Sequence, residues 1–419
     1  MSKTVLVRGA RQLLTLVGPA GPRRGTAMRD VGMIQDGAVL IVDGRISDVG
    51  PARRVERLAE AREAFEIDAS GKVVMPGFVD CNTRLVGGPP RLEEYEARIG
   101  GGSVDGRGVS LDDVRLVRSY SKQRMELEAR KQLRQFVRHG TTSLDAKSGC
   151  GLDQTTELKS LRVLESLEGR PLHVSPTYFG AAATPREMEA SPEEYVEWLI
   201  EKMLPEVRAR RLARFVDVAC GTEGGFTATQ SRRVLATART LGFATRVQTG
   251  QCAASTGAVG VALDVQATSI DGLTELPEAA LAALAAGGTI ATLLPGRTFQ
   301  AGGGGHPPAR ELIDGGVAVA LGTGFDGSTS PSCSMPMMLA LACSQMRMTP
   351  AEALTAATHN AACVLGEDRR IGSLESGKDA DLILLQTGDY RELPFRFGMN
   401  LVAMVIRQGE PIFPRVEMV

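Results

Sequence analysis

The sequence predicts an α/β protein, a (β/α)8 TIM-like barrel carrying a small composite β-sandwich built from both termini. Three observations lead there. After about residue 70, apolar β-rich runs alternate with helical stretches eight times, the pattern of a barrel of parallel strands. Most of the runs are continuous, as in Thr289-Ile-Ala-Thr-Leu-Leu-Pro295, which is how a strand covered on both faces reads. The two ends share a different, hairpin-like texture. A chain of 419 residues has length enough for one large barrel plus an accessory layer.

The eight barrel strands are placed near 73–82, 141–147, 173–180, 215–220, 244–250, 267–272, 289–295 and 317–323. Helix starts stand between them. Ser191-Pro192-Glu193-Glu194 combines an N-cap, a proline in the first turn and two acids, while Thr349-Pro-Ala-Glu352 and Thr227-Ala-Thr-Gln230 have capping-box spacing. At the N-terminal end, Gly37 to Gly50 contains two β runs around Asp43-Gly44, a hairpin signal. Gly377 to Leu385 and Val402 to Gly409 repeat that texture near the other end. The predicted division is therefore 1–70 with 368–419 as the composite sandwich and 71–367 as the barrel.

Composition narrows the partners. Hydrophobic residues make up 43% and charged residues 23% of the chain, as in soluble globular proteins. Lys+Arg of 48 against Asp+Glu of 49 leaves a formal charge of -1, so there is no positive field to hold nucleic acid or an anionic membrane. The seven cysteines are scattered without a C-x-x-C pair, which fits reduced thiols in a cytoplasmic protein better than disulfides or a zinc knuckle. The longest apolar run, about Ala279 to Pro295, is broken by Gly287 and Gly288, and no export or membrane segment is expected.

Several motifs go further. Val74-Met-Pro-Gly-Phe-Val-Asp80 precedes the barrel and Gly372-Ser-Leu-Glu-Ser-Gly-Lys-Asp-Ala-Asp-Leu382 follows it. Between and beyond them stand Lys147-Ser-Gly-Cys-Gly-Leu-Asp153, Leu294-Pro-Gly-Arg-Thr-Phe299, Pro307-Pro-Ala-Arg-Glu-Leu-Ile-Asp314 and Asp389-Tyr-Arg-Glu-Leu-Pro-Phe-Arg-Phe-Gly398. Together they resemble the amidohydrolase superfamily, and within it the imidazolonepropionase family, over roughly residues 35 to 410. The resemblance implies a divalent ion held by a His-x-His pair on strand 1, a His on strand 5 and an Asp on strand 8. Such an ion lowers the pKa of bound water from about 15.7 to about 7 and so supplies hydroxide at neutral pH.

At the positions the resemblance assigns to those ligands, this chain has Asn82, Arg84, Gln248 and Gly324. Gln251 stands for the family's catalytic Glu, Gly272 for its acid/base His, Cys150 for a substrate-site Tyr and Ala182 for a substrate-site His. Arg91 matches the arginine that grips the substrate carboxylate. The chain has four histidines. Of these only His306, after the run Gly302 to Gly305, is placed to reach the barrel mouth, where barrel active sites sit.

The expected ligand-binding residues are Arg84, Arg91, Gln248, Gln251, His306 and Asp326, with no metal and no cofactor. An unpaired buried guanidinium is costly, so Arg84 calls either for a protein carboxylate such as Asp326 or for a bound anion. Arg91 either grips a ligand carboxylate or is solvated. Gln248 and Gln251 are polar infill or ligand contacts. A cysteine nucleophile among Cys81, Cys150, Cys252 and Cys333 would need a nearby base or a lowered pKa. Lys147, shared with the metal-dependent enzymes, reads as a brace. These residues predict a catalytically inactive binding or regulatory homologue lacking the metal site. The alternative is an active hydrolase acting on non-peptide C–N bonds of a small cyclic amide by a non-standard site, using Asp80, Asp326 or a cysteine. The expected partners are a small-molecule ligand, a carboxylate among the candidates, and a second copy in a homodimer.

Overall fold

The computed structural model describes residues 3–101, 110–188, 191–221, 225–249, 255–276, 278–302 and 306–414. Eight parallel strands form the central sheet. They are β1 (Phe78–Asp80), β2 (Thr141–Lys147), β3 (His173–Ala181), β4 (Phe215–Cys220), β5 (Ala244–Thr249), β6 (Ser269–Asp271), β7 (Ile290–Leu293) and β8 (Val319–Leu321). Each pairs with the next in order. The ring is drawn together at its upper rim, where Thr83–Arg84 pairs in parallel with Phe325–Asp326. This nearly closed barrel has the predicted class.

The strands form where the apolar runs were seen because both of their faces are covered: every residue of β2, β4, β6, β7 and β8 is buried. Among the surrounding helices some bury a single stripe. In Lys122–Arg138 that stripe is Met125, Ala129, Leu133, Phe136 and Val137, a helical repeat. Capping boxes close at Thr227/Gln230 and Thr349/Glu352. At Ser191 the proline and the acids are in place, but the serine side chain makes no cap bond.

One predicted strand needs correction. The run 73–82 is two strands, with Val73–Pro76 antiparallel to Leu382–Leu385 in the terminal sheet and Phe78–Asp80 in the barrel. Gly77 is the junction. Its amide donates to the Asp381 carbonyl at 3.0 Å, and a Cβ there would lie 2.3 Å from the Thr142 side chain, so the chain crosses from one sheet to the other only without a side chain.

Strands from both ends of the chain share the terminal sheet, in the order Glu410–Phe413, Val402–Arg407, Leu382–Leu385, Val73–Pro76, Thr4–Leu14, Met33–Val42, Arg45–Pro51, with Phe65–Asp68 paired beside Thr4–Leu14. Asp43 and Gly44, at φ 49° and 79°, make the predicted tight turn. Leu382, Leu384 and Ile406 pack with Val5, Val7, Val39 and Ile41, whereas Ile383, Leu385 and Val405 face the barrel core. No helix among the described residues is long and apolar enough to cross a membrane.

Candidate functional site

Charged side chains occupy the interior of the barrel toward the C-terminal ends of its strands. Lys147, the last residue of β2, points its Nζ at Asp217 Oδ2 on β4 (2.5 Å) and Asp271 Oδ2 on β6 (3.0 Å), with Gln248 Oε1 on β5 at 3.3 Å. Asn82 Nδ2 donates to Gln248 Oε1 at 3.0 Å and to Asp271 Oδ2 at 2.8 Å. Two residues deeper along β2 and β5, Arg246 pairs with Asp145 at 2.8 Å, lies over the Phe215 ring, and donates to the Val364 carbonyl. These groups are buried, so each charge depends on its partner. Burial holds the Asp217 carboxyl above its ordinary range although Lys147 opposes this. For Asp271, Lys147 and Arg246 outweigh burial and the pKa falls.

Asp80 ends β1 beside this network. Its oxygens accept from the Thr323 amide (3.0 Å), the Thr323 hydroxyl (2.6 Å) and the Asn82 amide (3.3 Å). No cation is bonded to it by these contacts, and burial pushes its pKa up to about 7, against the pull of those hydrogen bonds. A carboxyl poised there can take or give a proton at neutral pH.

At the mouth, Arg84 Nη1 donates to Asp326 Oδ2 at 3.1 Å and lies 5.4 Å from the centroid of Phe179. Asp326 also accepts from the amide and hydroxyl of Ser328. Of the two alternatives for Arg84, a protein carboxylate is the partner in place. Arg91 lies where the chain enters the helix Leu92–Ile99, bonded to Asp113 at 2.8 Å and Glu94 at 3.2 Å. Gln248 belongs to the network below. His306 is exposed and adjoins Pro307, which lines a cleft with Thr249, Gly272, Thr274, Arg297 and Thr298. Gln251 and Cys252 lie outside the described residues.

The thiols are poorly suited to nucleophilic attack. Burial raises Cys150 to about 12 and Cys333 to about 11, and puts Cys81 well above its ordinary value. The thiolate is the reactive form. Among the described residues no group of three or more His, Cys, Asp or Glu side chains could hold a metal ion. At the family's ion position, the Lys147 ammonium and the Asn82 amide already donate to Asp271. A divalent ion of the kind the resemblance implies does not fit that set of donors.

Sequence reading passed over Arg246, Asp145, Asp217 and Asp271 as parts of a network, and met Arg297 only within the motif Leu294 to Phe299. A signal was present: each of the first four interrupts an apolar strand at an inward register, where a charge persists only if paired. Lys147 does brace three strands, as expected.

A model described as the amidohydrolase family matches residues 103–413. Imidazolonepropionase from Chloroflexus aggregans is 39% identical over 423 residues, 97% of this chain and 98% of the relative. Imidazolonepropionase from Symbiobacterium thermophilum is 40% identical over 97% of both. Among solved structures, A. niger ochratoxinase aligns with a TM-score of 0.70 at 16% identity, covering 98% of this chain and 95% of that one. Triazine hydrolase from Arthobacter aurescens gives 0.71 at 14%, covering 98% and 94%. At such identities these two show the fold alone. The imidazolonepropionases overturn the expectation of an inactive binding or regulatory pseudoenzyme, since kinship this close over nearly the whole chain is kinship to hydrolases. Loss of metal ligands falls with it as a mark of inactivity, and the alternative, an active hydrolase, is favoured. With its barrel, its motifs and these relatives in agreement, the chain belongs to the amidohydrolase family.

Proposed function

We propose that this protein is an active hydrolase that opens a non-peptide C–N bond in a small cyclic amide of the imidazolonepropionate type. The observation that carries the reading is the 39–40% identity to imidazolonepropionases across 97% of the chain. The site is read as non-standard, worked by this chain's own side chains. Arg84, Gln248 and Asp326 form its walls, His306 stands beside it, and Arg91 braces the entrance through Asp113.

In this scheme Asp80 is the general base. With a pKa of about 7 it is substantially ionised at neutral pH, and it takes a proton from water as the oxygen adds to the ring carbonyl. The Arg84 guanidinium offsets the negative charge that develops on the carbonyl oxygen. The proton held by Asp80 then passes to the departing nitrogen as the C–N bond breaks, leaving a carboxyl and an opened amine-bearing fragment. Lys147 acts as a positioning residue, keeping Asp271, Gln248 and Asn82 in register.

The rest of the reading is architectural. Packing of Leu382, Leu384 and Ile406 on Val5, Val7 and Val39 supports a composite sandwich of 1–70 and 368–419 beside a barrel of 71–367. A cytoplasmic homodimer that takes a small carboxylate ligand, with neither nucleic acid nor membrane as partner, completes it.

Purified protein, assayed for loss of the imidazolone ring with and without added zinc or iron, should turn over imidazolonepropionate. The rate should rise with pH through a midpoint near 7, set by Asp80. Asp80→Asn should lower kcat by roughly 10²- to 10⁴-fold, the usual worth of a general base, and abolish that midpoint. Wild-type protein inert under every condition would sink the proposal, and an unchanged pH profile in Asp80→Asn would remove Asp80 from it.

A further inference from the structure

The motif Asp389 to Gly398 takes no part in the chemistry above. Its Leu393 and Pro394 are buried in the short helix Glu392–Phe395, and they anchor a segment whose remaining large apolar side chains turn outward: Phe395 is 80% exposed, Phe397 75% and Met399 54%. Phe395 and Phe397 form one side of an open groove of about 710 Å³, with Pro394, Ala340, Cys343 and Pro350 along the rest. The groove lies between that segment and the helices Met335–Ser344 and Pro350–Ala356. The charged residues that line it are paired within the chain, Arg391 with Asp389 at 2.5 Å and Glu392 with Arg396 at 2.6 Å.

We propose that this groove and the segment Phe395 to Met399 form a two-fold interface with a second copy of this chain, the Phe395 and Phe397 rings of each protomer being covered by the groove of the other. The proposal rests on the homodimer in the reading above and is independent of its chemistry. Covering the two rings takes on the order of 300 Å² of apolar surface out of water on each protomer, since an aromatic side chain buries about 150–250 Å². A stable pair needs about 800 Å² per partner, so the rings alone supply roughly a third, and Met399 and the groove walls adjoin them. Apolar side chains exposed together on this scale mark an interaction surface. Shape selects the occupant. A two-fold contact presents the same patch from both sides, so the patch must hold a projection and a receptacle together, which two protruding rings beside a groove provide. Charge agrees. With Asp389, Arg391 and Glu392 matched inside the chain, two copies meet without like-charge repulsion, whereas a partner recognised by charge finds these residues already taken.

Sedimentation velocity of the full chain across a wide range of concentration should show a species of twice 44.5 kDa. Phe395→Ser with Phe397→Ser should raise its dissociation constant by on the order of 100-fold or more, as for aromatic anchors at the centre of an interface. Circular dichroism should be unchanged, because both side chains are exposed on the protomer. A second measurement needs only wild type. Cys343 lines the groove, so its alkylation by N-ethylmaleimide, followed by peptide mass spectrometry, should slow several-fold as concentration rises and the pair forms. A dimer left intact by the double substitution, or one whose formation leaves Cys343 labelling unchanged, would overturn this interface while the homodimer stands. A chain that is monomeric at every concentration would overturn both and leave the groove to some other occupant. Turnover of imidazolonepropionate is measured separately, so its failure would sink the hydrolase reading and leave this surface untouched.

Discussion

Replacing Lys147 by Met removes a cation from between two carboxylates with almost no change in side-chain length. The ammonium is 2.5 Å from Asp217 and 3.0 Å from Asp271, and all three groups are buried. At an effective dielectric of about 20, a unit charge pair 3.0 Å apart attracts by roughly 5.5 kcal/mol. Most of this offsets the several kcal/mol that each ion loses on leaving water, so the expected net loss on breaking the cluster is about 3–5 kcal/mol.

The loss should depend on pH in a definite direction. Asp217 already has a raised carboxyl pKa from burial, and without Lys147 it rises further. An acid whose folded pKa lies above its unfolded one binds more protons when folded, so its contribution to stability is present at low pH and is lost as pH rises through the folded value. Urea unfolding followed by tryptophan fluorescence at pH 5, 7 and 8.5 should therefore show the gap between Lys147→Met and wild type widening with pH. Lys147→Met with Asp217→Asn should recover part of the loss, because one uncompensated charge has gone. A gap below about 1 kcal/mol, the range of an exposed ion pair, or one independent of pH, would refute the view that these charges support one another inside the barrel.

Two further predictions concern how the layers are joined. Glu352 accepts from Arg29 at 3.0 Å, from Arg310 at 3.0 and 3.2 Å and from the Thr349 amide at 2.8 Å, and these donors outweigh burial to hold its pKa at about 2. Its stabilisation is present above the unfolded value and lost as pH falls from about 4.5 toward 2. Glu352→Gln should cost about 2 kcal/mol at pH 7, as for hydrogen bonds to a charged group, and should flatten the acid limb of a stability-against-pH curve. An acid limb as steep as that of wild type would count against this. Gly77→Ala drives a methyl group into Thr142 and should destabilise by about 1–3 kcal/mol through overpacking. Gly77→Ala with Thr142→Ala, which removes both the methyl carbon and the hydroxyl oxygen standing 2.3 Å from the added Cβ, should recover part of it, and no recovery would mean that Thr142 is not what excludes a side chain from the junction.

Much of the architecture was legible because it depends on local pattern. A strand covered on both faces must be apolar throughout, and capping pairs lie three residues apart, so β2, β4 and the Thr349 box could be located from their own residues. The break at Gly77 could not, because the atom that forbids a side chain there belongs to Thr142, distant in sequence. Arg84 and Asp326 were singled out as charges on inward-facing segments, and they meet. Arg297 appeared only inside the motif Leu294 to Phe299, because its packing against Gly324 depends on a residue outside its own helix.

The sequence by itself determined the class of fold and the family, since each follows from the spacing of apolar runs and from motifs read off residue identity. Only the tertiary structure decided how the charged residues are used: which acid neutralises Arg84, how Lys147 is shared by Asp217 and Asp271, and why Asp80 holds its proton to about pH 7. Charge energies are set by distance and burial, and both arise from strands that meet only when the barrel closes.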